Sequence, residues 1–152
     1  MLSRVLHFVP ALLFTVGLAA CGGGQASGPA QVDINPVGEE MRYEQTEFTV
    51  QPGQEVHLVF TNTATSPAMH HNVVILTDSS AADRIATAGI QAGEANDYVP
   101  NDEAILAHTA LAAPGETVEV TFTAPTEPGD YKYICTFPGH HITMNGTMHV
   151  AS

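Results

Sequence analysis

Apolar side chains recur at every second position through much of the chain. Val56, Leu58 and Phe60 alternate with Glu55, His57 and Thr61. Val118, Val120 and Phe122 alternate with Thr117, Glu119 and Thr121. This period of two marks strands with one buried face. Phe48 and Val50 share a face in a shorter run, and Met148 and Val150 do so near the C-terminus. Residues 72–76 read as a central strand from their apolar side chains, Val32, Asp33 and Ile34 as a short opening strand, and 131–135 as a further one. Pro52-Gly53, Pro114-Gly115 and Pro128-Gly129-Asp130 supply turns between them. Short alternating strands separated by Gly/Pro turns predict an all-β, antiparallel sandwich.

One segment departs from this pattern. Asp78-Ser79-Ser80 can cap a helix over residues 81–88, with Asp83 near its positive end and Gly89 as its stop. A loop over 90–103 follows. No internal repeat is visible.

Candidate chemistry concentrates near the C-terminus, in Cys135-Thr136-Phe137-Pro138-Gly139-His140-His141-Ile142-Thr143-Met144. A thiolate, an imidazole and a thioether recur there as C-x4-H-x3-M. Soft and borderline donors in this mixture suit copper moving between Cu(I) and Cu(II) better than Zn, Mg or Ca, although Zn can occupy the same ligands during purification. Pro138 biases Phe137 away from helical angles and Gly139 permits a tight reversal, so the segment folds as a compact loop. Met148 is a rival thioether, but its place in strand alternation predicts a core position. A second stretch, Met69-His70-His71-Asn72, offers another imidazole. His70 and His71 point to opposite sides of an extended chain, so one of them would complete a His2Cys site with a long axial Met.

At these residues the chain resembles the azurins and auracyanins, blue copper proteins of the cupredoxin fold. The resemblance rests on CTFPGH-x3-M followed by Asn145-Gly146-Thr147, on His71-Asn72, and on Ile105-Leu106-Ala107-His108-Thr109. It spans residues 32–150 and implies a Greek-key β-sandwich with a short helical flap outside the barrel, acting as structural cover. It implies His71, Cys135, His140 and Met144 as ligands of one copper ion. It implies Asn72 as the tie between the upstream segment and the loop. It implies backbone N–H groups of Asn72 and Phe137 as donors to the Cys135 sulfur. His70 stands where azurins have Gly, whose carbonyl makes a weak contact with copper. His141, His108 and His149 are expected at the surface or at edges. The apolar side chains Ala68, Met69, Phe137, Pro138 and Ile142 are expected to rim the mouth near His140, where redox partners would dock. Those partners would be a c-type cytochrome or a membrane oxidoreductase.

The resemblance implies a type 1 copper electron carrier and no enzymatic activity. A multicopper reductase or oxidase domain needs a His beside the ligand Cys to wire in a second centre. Cys135 is flanked by Ile134 and Thr136 instead. An extracytoplasmic copper carrier or chaperone is the other reading, but the 5 methionines form no Met-rich run.

Length and charge narrow the setting. The 152 residues make one domain, and the formal net charge is −12, from 16 acidic and 4 basic residues. Such a surface disfavours nucleic acid and anionic lipid head groups, and it favours solubility and a basic protein partner. The two cysteines, Cys21 and Cys135, have separate uses and are not expected to pair. Residues 1–20 read as a signal peptide. Leu18-Ala19-Ala20-Cys21 resembles a bacterial lipobox, in which Cys21 carries lipid. Residues 21–31 form the lipidated Cys and a Gly/Ser/Ala-rich tether, and 32–152 the folded domain. The chain is thus expected in the periplasm or at the cell surface, anchored to a membrane.

Overall fold

The computed structural model describes residues 28–151. The expected signal segment, Cys21 and most of the tether lie outside the described residues. Among the described residues eight strands follow in order: β1 Ala30–Ile34, β2 Glu47–Val50, β3 Glu55–Thr61, β4 Val74–Leu76, β5 Ile105–His108, β6 Thr117–Thr123, β7 Gly129–Ile134 and β8 Asn145–Val150. One α-helix, α1 Ala82–Ala92, stands between β4 and β5. β1 takes in Ala30 and Gln31, at the end of the stretch read as tether.

The strands form a three-stranded sheet, β1-β3-β6, and a five-stranded sheet, β2-β8-β7-β4-β5. Together they make the expected β-sandwich. Its pairing is mixed rather than purely antiparallel. β1 runs parallel to β3, and β2 runs parallel to β8. Residue alternation reports which face is buried but not the direction of a strand's neighbour, so the sequence pattern carried no sign of these two pairs.

The core between the sheets contains Val56, Leu58, Phe60, Ile75, Tyr133, Cys135, Met144 and Met148. A second apolar cluster lies on the other face of the five-stranded sheet. There Val74, Leu76 and Ile134 meet Ala82, Ile85 and Ala86 of α1. This explains why Val74, Ile75 and Leu76 are all fully buried. Successive residues of β4 face opposite sides, and both sides are covered. β4 is shorter than the apolar run suggested, because His71 makes only an isolated bridge to Ala112 and residues 72–73 leave the ladder.

The helix begins as expected and ends later. Asp78 accepts from the Ser80 N–H at 2.9 Å and caps a 3-10 turn, Ser79–Ala81, that leads into α1. Gly89 does not stop it. The helix continues to Ala92 and ends at Gly93, whose φ of 75° is easy only for glycine. Gly89 is instead a point of close approach, since a Cβ there would overlap the carbonyl of Tyr98.

Candidate metal centre

Three chain segments meet at the end of the sandwich. Cys135 follows the last residue of β7 and is fully buried. Gly139, with φ 84°, reverses the chain, and a 3-10 turn over His140–Ile142 brings His140 back toward Cys135. His71 comes from the segment before the neighbouring strand β4, fixed by its backbone bridge to Ala112. One donor atom from each of His71, Cys135 and His140 lies within 4.8 Å of the other two. The Cys135 sulfur is 3.9 Å from His71 Nδ1 and 3.8 Å from His140 Nδ1, and the two Nδ1 atoms are 3.1 Å apart.

Met144 is also fully buried, and its main chain is pinned to the same residues. Its N–H donates to the His140 carbonyl at 2.8 Å, and its carbonyl accepts from the Cys135 N–H at 3.0 Å. Met148 sits in the core on β8, as its strand position predicts.

The electrostatics suit a cation. Burial pushes the Cys135 thiol up to about 12, although the N–H groups of Asn72 and Phe137 donate to its sulfur and oppose the shift. Burial lowers His71 to about 4, with the His140 and His70 rings adding to the effect, and burial lowers His140 as well. A thiol and two neutral imidazoles are thus crowded where water does not solvate them. Their inward Nδ1 atoms face each other and the sulfur. A metal cation would satisfy all three donors at once and turn the thiol into a thiolate. The mixture of one sulfur, two imidazoles and a thioether nearby fits copper.

Asn72 locks the two halves of the site together. Its Oδ1 accepts from the Thr136 N–H at 2.9 Å, and its Nδ2 donates to Thr136 Oγ1 and to the Asp97 carbonyl, each at 2.8 Å. Its own carbonyl accepts from the Tyr43 hydroxyl at 2.6 Å. Asn72 thereby links the segment that carries His71 to the loop that carries Cys135.

A model of copper binding proteins of the plastocyanin/azurin family matches residues 30–151. The chain belongs to that family. Copper is its cofactor. Auracyanin-A of Chloroflexus aurantiacus is 44% identical over 143 residues, covering 86% of each chain. An azurin of Alcaligenes faecalis is 41% identical over 100 residues, which are 64% of this chain and 77% of that one. The solved structure of auracyanin A, described as a "blue" copper protein, superposes with a TM-score of 0.76 over 82% of this chain and 100% of its own. The fold is therefore that of the cupredoxins.

The other histidines divide. His70 is not among the three clustered donors and stacks on Phe137, with ring centroids 5.9 Å apart and planes 14° apart. His108 is exposed, and His149 pairs with Asp130 and Glu47 across neighbouring strands. His141 differs from expectation. It is half-buried against the helix rather than free in solvent, with Nε2 3.6 Å from the Asp83 carboxylate and Nδ1 buried without a partner. Around the mouth, Ala68 and Pro138 are exposed, Met69 and Phe137 half-buried, and Ile142 is 73% exposed. His140 itself is 5% exposed.

Sequence reasoning missed Asp97 and Tyr98. Both adopt φ of 55°, which is uncommon outside glycine. Asp97 reaches Asn72 as described, and the Tyr98 ring meets Phe137 edge-on at 5.3 Å. Nothing in a stretch reading Glu94-Ala95-Asn96-Asp97-Tyr98 announces such a role, because it depends on how the helix docks.

Proposed function

We propose that this chain is a type 1 copper electron carrier, with His71, Cys135 and His140 as strong ligands and Met144 as the weak axial one. The observation that carries this reading is the convergence of two buried imidazole nitrogens on one buried thiol, within 4.8 Å. Copper, when bound, supplies a one-electron couple between Cu(I) and Cu(II). The chain's residues hold the donors in a single arrangement, exclude water and direct hydrogen bonds at the thiolate. Asn72 and Phe137 supply those hydrogen bonds. His140, whose ring packs against Phe137 at the half-buried edge of the mouth, is the point at which an electron enters and leaves.

The redox partners dock on the apolar rim beside His140. The net charge of −12 favours a partner with a basic face, such as a c-type cytochrome or a membrane oxidoreductase. Residues 1–20 act as an export signal, and lipid on Cys21 holds the domain outside the cytoplasm. The lipobox-like Leu18-Ala19-Ala20-Cys21 supports this, and so does the Gly-rich sequence after it. Among the described residues no helix is long and apolar enough to cross a membrane.

Stoichiometric addition of Cu(II) to the metal-free protein tests the reading. An electron carrier becomes intensely blue with one copper per chain, bleaches on reduction and recovers fully on reoxidation. A colourless or pale product points to a copper carrier or chaperone instead. Cys21→Ala tests the anchor, since it moves the protein from the membrane to the soluble fraction.

A further inference from the structure

The helical flap does more than cover a sheet face. Its far end reaches both segments that donate hydrogen bonds to the Cys135 sulfur. The Asp97 carbonyl accepts from Asn72 Nδ2 at 2.8 Å, and the Tyr98 ring packs edge-on against Phe137 at 5.3 Å. Asn72 and Phe137 are the residues whose N–H groups point at the sulfur. We propose that Asp97 and Tyr98 are positioning residues of the copper centre, holding Asn72 and Phe137 at the distance and angle their N–H groups need to reach Cys135. This rests on the copper-carrier reading above.

The turn itself is held from several directions. The Asp97 carboxylate accepts from the Leu111 N–H at 3.0 Å, tying the turn to the strand connection behind His71. The Tyr98 N–H donates to the Gly93 carbonyl at 3.0 Å, fixing it to the end of α1. Gly89 leaves no room for a side chain between α1, the Tyr98 carbonyl and Thr136. Near the start of α1, Asp83 faces His141, the neighbour of His140. The helix therefore bears on the metal loop at both ends. Consecutive left-handed residues, one of them a bulky Tyr, persist only where their surroundings over-determine them. The surroundings here are the supports of the thiolate. Outer partners of this kind orient the groups that touch a metal and tune its potential.

Four variants of the full-length chain test the proposal: Tyr98→Ala, Tyr98→Phe, Asp97→Ala and Asp97→Asn. In the metal-free protein, the alanine variants are expected to speed amide hydrogen exchange at Asn72 and Phe137 by about tenfold or more, while β3 amides stay unchanged. In the copper-loaded protein they weaken copper retention by roughly 10-fold. They also shift the visible band and lower the midpoint potential, because a thiolate with fewer hydrogen bonds favours Cu(II). Tyr98→Phe keeps the ring and Asp97→Asn keeps the acceptor, so both retain wild-type values. If Tyr98→Ala does not fold, Tyr98→Leu takes its place in every measurement. Alanine variants with lowered global stability but unchanged exchange at Asn72 and Phe137, unchanged band and unchanged potential would overturn the proposal. A wild-type chain that fails to form the coloured copper adduct counts against the carrier reading. The exchange rates in metal-free protein decide the positioning role separately.

Discussion

Asn72 and Thr136 hold each other by two reciprocal hydrogen bonds, Thr136 N–H to Asn72 Oδ1 at 2.9 Å and Asn72 Nδ2 to Thr136 Oγ1 at 2.8 Å. They lie 64 residues apart and both are buried. Each sits beside a donor of the metal site, Asn72 next to His71 and Thr136 next to Cys135. The pair therefore sets the distance between the two halves of the centre before any metal arrives.

Asn72→Ala is expected to destabilise the metal-free protein by about 2–6 kcal/mol. It leaves the Thr136 N–H and the Asp97 carbonyl without partners, and each such loss costs about 1–3 kcal/mol. Urea unfolding followed by circular dichroism measures the change. A loss below about 1 kcal/mol would mean that water replaces the amide freely.

The neighbouring histidines separate cleanly. His71→Ala removes a donor atom from the cluster and is expected to abolish the intense blue band. His70→Ala removes only a ring stacked on Phe137 and leaves the band nearly unchanged. Visible absorption of the two copper-loaded variants decides it, and the opposite ranking would mean the ligand is misassigned. Cys135→Ser should remove the band altogether.

Gly89→Ala is expected to destabilise, although alanine is the better helix former by about 1 kcal/mol. Its Cβ would overlap the backbone of Tyr98, which cannot step aside as a flexible side chain can. Overpacking of this kind costs about 1–3 kcal/mol. Thermal unfolding of the metal-free variant measures the sign, and an increase in stability would contradict the close contact.

Two histidines give the metal-free protein opposite responses to pH. Burial holds His71 near 4, below its ordinary 6.5, so the unfolded chain takes up a proton first. Its contribution to stability falls as pH drops from 6.5 through about 4. His149 is raised above 6.5 by its hydrogen bond to Asp130. Its contribution is complete below 6.5 and disappears as pH rises through its folded value. Urea midpoints across pH for wild type, His71→Ala and His149→Ala should show the first variant flattening the acid side. The second should lose stability below 6.5 and match wild type at alkaline pH.

The legible parts of this protein were those that short-range chemistry dictates. The alternation in Glu55–Thr61 and Thr117–Thr123 became β3 and β6, and the Pro138-Gly139 pair became the reversal that returns His140 to Cys135. The adjacent His70 and His71 took different neighbours, His70 the Phe137 ring and His71 the donors Cys135 and His140. What escaped sequence reasoning depends on docking. Gly89 reads as a helix stop until the backbone of Tyr98 is found against it. The parallel pairing of β1 with β3 leaves no trace in alternation. His141 reads as a surface residue until α1 is laid over the metal loop.

X-ray absorption at the copper edge, recorded on one sample in its oxidised and reduced states, tests the central claim most directly. The account predicts the same short sulfur and two nitrogen neighbours in both states, since the chain fixes those donors on its own. Loss of the sulfur, a different number of nitrogens, or a rebuilt shell upon reduction would contradict it.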